Sequence, residues 1–259
     1  MTKQNADGLI EQARAREWFY AYELPDGGTT PTYHGADIQA IHDTRWRMLR
    51  DCLDERLGPQ READRGSLSA LDLASHQGWF AVKLAQSGFG RVLGVDARAS
   101  HVGDSRLMAD IYGLGGLSFE QGDVHELDAA ALGEFDVVLM LGLLYHLEDP
   151  VGALRVCRAL CRRVCVIETQ IVPGITGFVD YGGYRFVRPL KGSFGIIDET
   201  GDTHGPEASI TGICLVPSLE ALLWILHKVG FSRVTVLPPP EDAYEQLRYH
   251  KRVMVAAEV

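Results

Sequence analysis

Five short apolar segments, regularly spaced between residues 69 and 168, constrain the fold more than anything else in the chain. They are Ser69-Ala70-Leu71-Asp72-Leu73, Arg91-Val92-Leu93-Gly94-Val95-Asp96, Leu117-Ser118-Phe119-Glu120-Gln121, Phe135-Asp136-Val137-Val138-Leu139-Met140-Leu141 and Val164-Cys165-Val166-Ile167-Glu168. Most are apolar nearly throughout rather than alternating, so both faces of each strand must be covered. Helical patterns fill the gaps at 79–86, 101–112 and 150–160, the first two closed by Gly88 and Gly113. Strand and helix in alternation imply a parallel sheet with helices on both faces. A helix over 218–229 and strands over 231–237 and 252–257 complete the expectation: an α/β fold with a doubly wound, seven-stranded, mostly parallel, Rossmann-like sheet.

The flanks read differently. Residues 1–66 form a helical N-terminal extension, broken by the turn signal Pro25-Asp26-Gly27-Gly28. Its second helix, over 37–57, carries Ile38, Ile41, Arg45, Met48, Leu49, Cys52 and Leu53 at helical spacing. The polar stretch 60–67 reads as a linker, and 67–259 as the main domain. Within it, residues 171–216 hold glycines and aromatics without a clear period and are expected to be a lid-like insertion over the substrate.

Composition narrows the function classes. The 259 residues carry 25 Lys and Arg against 35 Asp and Glu, a formal net charge of −10. Such a chain is poorly suited to neutralising phosphates, so nucleic acid is an unfavourable partner. The apolar run 137–147 is too short to span a bilayer, and the first residues show no secretory pattern. Five cysteines, with Cys157, Cys161 and Cys165 spaced by four, read as buried reduced thiols and point to the cytosol. Homo-oligomer formation is left open.

The first two strands each place an acid near their ends, Asp72 and Asp96, 24 residues apart. That spacing suits a mononucleotide site whose second acid accepts ribose hydroxyls. The loop between them, Ala74-Ser75-His76-Gln77-Gly78, keeps a single glycine and would cradle a pyrophosphate poorly. A cofactor with a ribose and no phosphate, S-adenosylmethionine, fits better.

The series from Leu71 to Phe80, Gly94-Val95-Asp96, Gln121-Gly122-Asp123-Val124 and Phe135-Asp136-Val137-Val138 resembles class I S-adenosylmethionine-dependent methyltransferases in order and spacing. Leu141-Gly142-Leu143-Leu144-Tyr145-His146-Leu147-Glu148-Asp149-Pro150 is similar to a narrower subgroup of wobble-uridine tRNA-modifying enzymes and small-molecule O-methyltransferases. So are Trp18-Phe19-Tyr20, Leu24-Pro25-Asp26-Gly27 and Thr30-Pro31. The chain departs from that subgroup in its first loop, where His76 is the oddest change.

The resemblance implies site roles. Asp96, with Ala97 beside it, takes the ribose hydroxyls. Asp123 lies by the adenine amine and Val124 offers backbone to it, although Asp123 also suits a helix cap. Asp72 holds the loop and reaches toward the methionine ammonium. Ala74, His76 and Gly78 allow close approach of the loop, and Leu141 closes the cofactor site. Tyr145, Glu168 and Tyr181 are candidate substrate contacts. Glu168 is also the candidate ligand for a divalent ion such as Mg2+. His146, just past the fourth strand, is the candidate general base, since hydroxyl methylation must shed a proton; packing is its alternative role.

The expected activity is therefore O-methylation of a small polar acceptor, a sugar or oligosaccharide first, similar to sugar O-methyltransferases of actinobacterial methylmannose polysaccharide type. The alternatives are modification of a tRNA wobble uridine and cofactor binding without catalysis.

Overall fold

The computed structural model describes residues 3–57, 65–180, 187–199, 209 and 211–259. Its centre is a seven-stranded sheet. In chain order the strands are β1 (Ser69–Leu73), β2 (Arg91–Asp96), β3 (Leu117–Gln121), β4 (Phe135–Leu141), β5 (Cys161–Gln170), β10 (Arg233–Leu237) and β11 (Arg252–Glu258). Across the sheet the order is β10-β11-β5-β4-β1-β2-β3. The first five strands run parallel, and β11 inserts antiparallel between β5 and β10. The order reverses at β1, between β4 and β2, where open α/β sheets form their ligand crevice.

Alternate residues of each strand enter opposite cores, as a period of two requires. Ala70, Val92, Val137, Leu139, Val166 and Met254 face one cluster, while Leu71, Leu93, Val138, Met140, Ile167 and Val255 face the other. The first cluster is covered by α2 (Ala36–Leu57), α3 (Trp79–Gln86) and α4 (Ala99–Tyr112). The second is covered by α6 (Pro150–Leu160) and α7 (Leu219–Lys228).

Capping follows the residue types. Gly113 ends α4 in the left-handed region at φ 64°. Asp149 caps α6 by accepting from Gly152 N at 2.8 Å, with Pro150 at its first turn. The predicted turn is also present: Leu24 N donates to Gly28 O at 2.7 Å and Gly27 N to Leu24 O at 2.9 Å.

The N-terminal extension packs into the first core through Trp18, Tyr20, Tyr22 and Leu24. It is tied to the loop after β1 by Gln77, whose side-chain oxygen accepts from Phe19 N at 2.6 Å and whose nitrogen donates to Asp104 at 2.9 Å.

One reading changes. The segment after β5 is not aperiodic: it forms two antiparallel ribbons, β6 (Phe178–Asp180) with β7 (Val187–Pro189), and β8 (Phe194–Asp198) with β9 (Ile213–Pro217). Strands of three and five residues are too short to display a period. The three spaced cysteines divide between two elements. Helix α6 ends at Leu160, so Cys157 lies on the helix while Cys161 and Cys165 lie on β5, all free and buried.

Candidate active site

A cavity of about 580 Å³ opens at the carboxyl ends of the parallel strands. Ala74, His76, Asp96, Ala97, Asp123, Val124, Leu141, Tyr145 and His146 all line it. The extension supplies a further wall through Phe19, Tyr20, His42 and Arg45.

The loop after β1 turns sharply, with Ala74 at φ 53° and His76 at φ 52°, both in the left-handed region that disfavours residues with a Cβ. What holds it is Asp96. One carboxylate oxygen accepts from His76 N at 2.8 Å; the other accepts from Arg98 N at 2.9 Å and lies 3.1 Å from His101 Nδ1. Burial pushes this carboxyl up, but the hydrogen bonds from His101 and Arg98 and the charge of His101 outweigh it and hold Asp96 below the ordinary carboxylate range. A carboxylate offers roughly four acceptor positions, and three are occupied. Asp96 faces the cavity beside its work in the loop.

Asp72 and Gly78 stand apart from the cavity. Asp72 is buried, and burial, with some help from Asp96, pushes its carboxyl up to about 8 although Ala81 N donates to it. Asp72 is not among the residues that line the cavity. Gly78 has φ 86°, and a Cβ there would come 2.7 Å from Phe119 Cζ and 2.8 Å from Ser105 Oγ. The crowding that requires glycine comes from the protein's own packing. Asp123 caps a 3-10 turn over Val124–Glu126, its side chain accepting from His125 N at 2.9 Å, and it lines the cavity.

At the other end, His146 closes a 3-10 turn over Leu144–His146. Its Nδ1 lies 2.6 Å from an oxygen of Glu199. Glu199 is 2% exposed, and the same oxygen accepts from Ser209 N at 2.8 Å and from Cys214 Sγ at 3.4 Å. The β8–β9 ribbon is seated on the His146 turn by a hydrogen bond from Leu215 N to Leu147 O at 3.0 Å. Cys214 is a poor thiolate: burial, then the charge of Glu199, pushes it up to about 11.

Between these ends lies a buried charge cluster. Glu168, fully buried at the end of β5, lies 2.7 Å from Arg45 Nη2 and 3.3 Å from Arg252 Nη1. Arg252 also donates to the Tyr145 hydroxyl at 2.9 Å, with its guanidinium carbon 4.7 Å from the Tyr145 ring centroid. Glu168 is therefore corrected as a metal ligand and as a direct substrate contact. It lies outside the cavity lining, and both of its oxygens face guanidinium groups that a cation would have to displace. The other ligand-like group, His146, Glu199 and Cys214, offers nitrogen, oxygen and sulfur within 4.8 Å of one another. That is not the all-oxygen set that Mg2+ prefers. Tyr181 lies outside the described residues.

Residues 70–163 match the family model of a methyltransferase domain. In sequence the chain is similar to a tRNA U34 carboxymethyltransferase of Desulfotalea psychrophila, at 25% identity over 86% of this chain and 61% of that one. It also resembles the O-antigen chain terminator bifunctional methyltransferase/kinase WbdD of Escherichia coli, at 29% identity over 58% of this chain and 21% of that one. The chain spans about three fifths of the length of the tRNA U34 carboxymethyltransferases it matches. In fold, the N-terminal domain of EvdMO1 with S-adenosylhomocysteine bound superposes with a TM-score of 0.69, at 19% identity, covering 100% of this chain and 98% of that one. An S-adenosylmethionine-dependent methyltransferase from Mesorhizobium loti gives 0.55 at 21% identity, over 83% and 98%. The sheet order is thus that of the Rossmann-like methyltransferase fold, seen in a neighbour with S-adenosylhomocysteine bound.

The residues of this site do fit that cofactor. The cavity runs from Asp123 past Asp96 and Ala74 to Leu141 and Gly142, with carboxylates at one end and turned backbone at the other. Three site residues carried weaker signals. Arg45 sits on the apolar stripe of α2, and Arg252 opens an apolar strand; a charge in such a stripe is itself a signal. His42 lies on the same helix face as Arg45.

Proposed function

We propose that the chain is an S-adenosylmethionine-dependent O-methyltransferase acting on a hydroxyl of a small, sugar-like acceptor, with His146 as general base and Glu199 as its positioning residue. The observation that carries this reading is the 2.6 Å contact between His146 Nδ1 and the buried Glu199 carboxylate, beside the cavity.

S-adenosylmethionine, when bound, supplies a methyl group on a sulfonium, which is electrophilic and needs no further activation. The protein's task is alignment and proton removal. Asp123, Asp96 and the Ala74–His76 turn define the cofactor end of the cavity; Tyr145 and His146 stand where the acceptor hydroxyl would approach. With the Nδ1 proton donated to Glu199, Nε2 carries the lone pair and can take the hydroxyl proton. Glu199 then stabilises the imidazolium that forms, the logic of a base oriented by a third group.

Orientation supplies much of such a rate, and a general base adds roughly 10²–10⁴-fold. With labelled S-adenosylmethionine and a panel of mono- and oligosaccharides, His146→Ala is expected to lose about that factor. Its affinity for S-adenosylhomocysteine is expected to stay near wild type. Glu199→Gln keeps the shape but not the charge and is expected to fall between the two. If both variants turn over at the wild-type rate, the base lies elsewhere and the reading fails.

A second reading, action on a tRNA wobble uridine, is favoured by the names of several relatives. The net charge of −10 counts against it. Five free, buried cysteines support a reducing, cytosolic location.

A further inference from the structure

Among the described residues, the cluster of Arg45, Arg252 and Glu168 is not electrically complete. Two guanidinium groups share one carboxylate, which leaves one positive charge in a wall where Arg45 is 6% and Arg252 7% exposed. Tyr145 and Gln246 contribute only neutral oxygens to Arg252. Arg45 Nε has no hydrogen-bond partner among the described residues, and neither ring nitrogen of the fully buried His42 has one. Arg45, Arg252 and His42 all line the cavity. A buried positive charge with unused donors is costly unless an anion completes it, and paired guanidinium forks suit a carboxylate or phosphate.

The cluster also lies on the side of the cavity away from the ribose acid. Asp96 ends β2, whereas Glu168 is on β5 and Arg252 on β11. The sheet order β11-β5-β4-β1-β2 puts three strand spacings between β2 and β5, about 14 Å. Arg45 lies against the end of β4, where a Cβ on Gly142 would come 3.4 Å from its Nη2. The His146 turn follows β4 directly.

We propose that Arg45 and Arg252 receive an anionic group of the methyl acceptor, a carboxylate or phosphate, so that the substrate is an acidic sugar-like alcohol. This rests on the methyl-transfer reading above. The anion is held at the arginines while the hydroxyl is presented to His146. His42 offers a neutral hydrogen bond to the same group. The competing source of the anion is the methionine carboxylate of the cofactor.

The test titrates the full chain by calorimetry with acetate and with inorganic phosphate, alone and after saturation with S-adenosylhomocysteine. The expected result is that at least one anion binds the saturated protein, in roughly the millimolar range. Arg252→Met and Arg45→Met are each expected to weaken that binding at least ~tenfold, with Arg→Lys at either position weaker than wild type but better than Met. Affinity for S-adenosylhomocysteine is expected to move little in any of them. The wild-type titrations decide the matter even if a variant fails to fold. Anions that bind only the free protein and compete with S-adenosylhomocysteine would assign the arginines to the cofactor and overturn the proposal. So would a saturated protein that binds neither anion. If S-adenosylhomocysteine itself does not bind, the methyl-transfer reading falls first and this one with it.

Discussion

Asp72 shows how one side chain couples the sheet to pH. Its carboxyl is raised to about 8 by burial, against roughly 3.9 in an unfolded chain. Between those values the folded protein keeps a proton that the unfolded chain has lost, so this residue makes stability fall as pH rises from ~4 to ~8. His42 acts in the opposite direction. Burial, then the charge of Arg45, holds it well below its ordinary value, so its contribution is lost as pH falls below ~6.5, where the unfolded chain binds the proton first. Asp72→Asn keeps an acceptor for Ala81 N and removes the titration. Its stability gain over wild type is expected to be larger at pH 8 than at pH 5, measured as the difference in Tm; equal gains would show that Asp72 is ionised in the folded state. At this scale the sequence was legible where chemistry and strand ends coincide, as at Asp96, Asp123 and His146. Glu199 was visible only as part of an acidic run. Its partner lies 53 residues away in the chain, and no local pattern reports a contact of that separation.

Among the elements, the loop after β1 depends on its neighbours more than on its own residues. Gln77 is 4% exposed and exchanges hydrogen bonds with Phe19 N, Asp104 and Glu17 O. Gln77→Ala leaves the half-buried Phe19 N–H without its acceptor, at a cost of about 1 kcal/mol. Denaturant unfolding is expected to show that loss, together with weaker S-adenosylhomocysteine binding, because the freed extension carries Phe19 and Tyr20 on the cavity wall. Unchanged stability would mean that the extension is held elsewhere. Strands β1, β2 and β4 were readable to the residue because each is buried on both faces: β4 runs from Phe135 to Leu141 as expected. The ribbons were not. The residues of β8 are mostly exposed, including Ile196 at 79% and Phe194 at 36%, so no burial pattern marks them. Charges set in apolar stripes, at Arg45 and Arg252, were present in the sequence but carry meaning only once Glu168 joins them.

For the molecule as a whole, the acid excess predicts behaviour toward polyanions. At physiological salt, tRNA is expected not to form a sub-micromolar complex with the chain, by filter binding or gel shift. A tight complex whose affinity drops steeply with added salt would instead favour the nucleic-acid reading. The seating of the β8–β9 ribbon has a different consequence. The hydrogen bond from Leu215 N to Leu147 O joins an insertion to the turn that carries His146, the proposed base, so the imidazole would lose its carboxylate if that seam opened. Water entering a site with the ribbon raised would meet an imidazole stripped of its counter-ion, a poor activator, and the sulfonium would be spared wasteful hydrolysis. The seam should then breathe independently of the sheet. Deuterium uptake at the Leu215 amide is expected to proceed through local opening, orders of magnitude faster than at Val138 in the middle of β4, and to set an upper bound on how often the enzyme is armed.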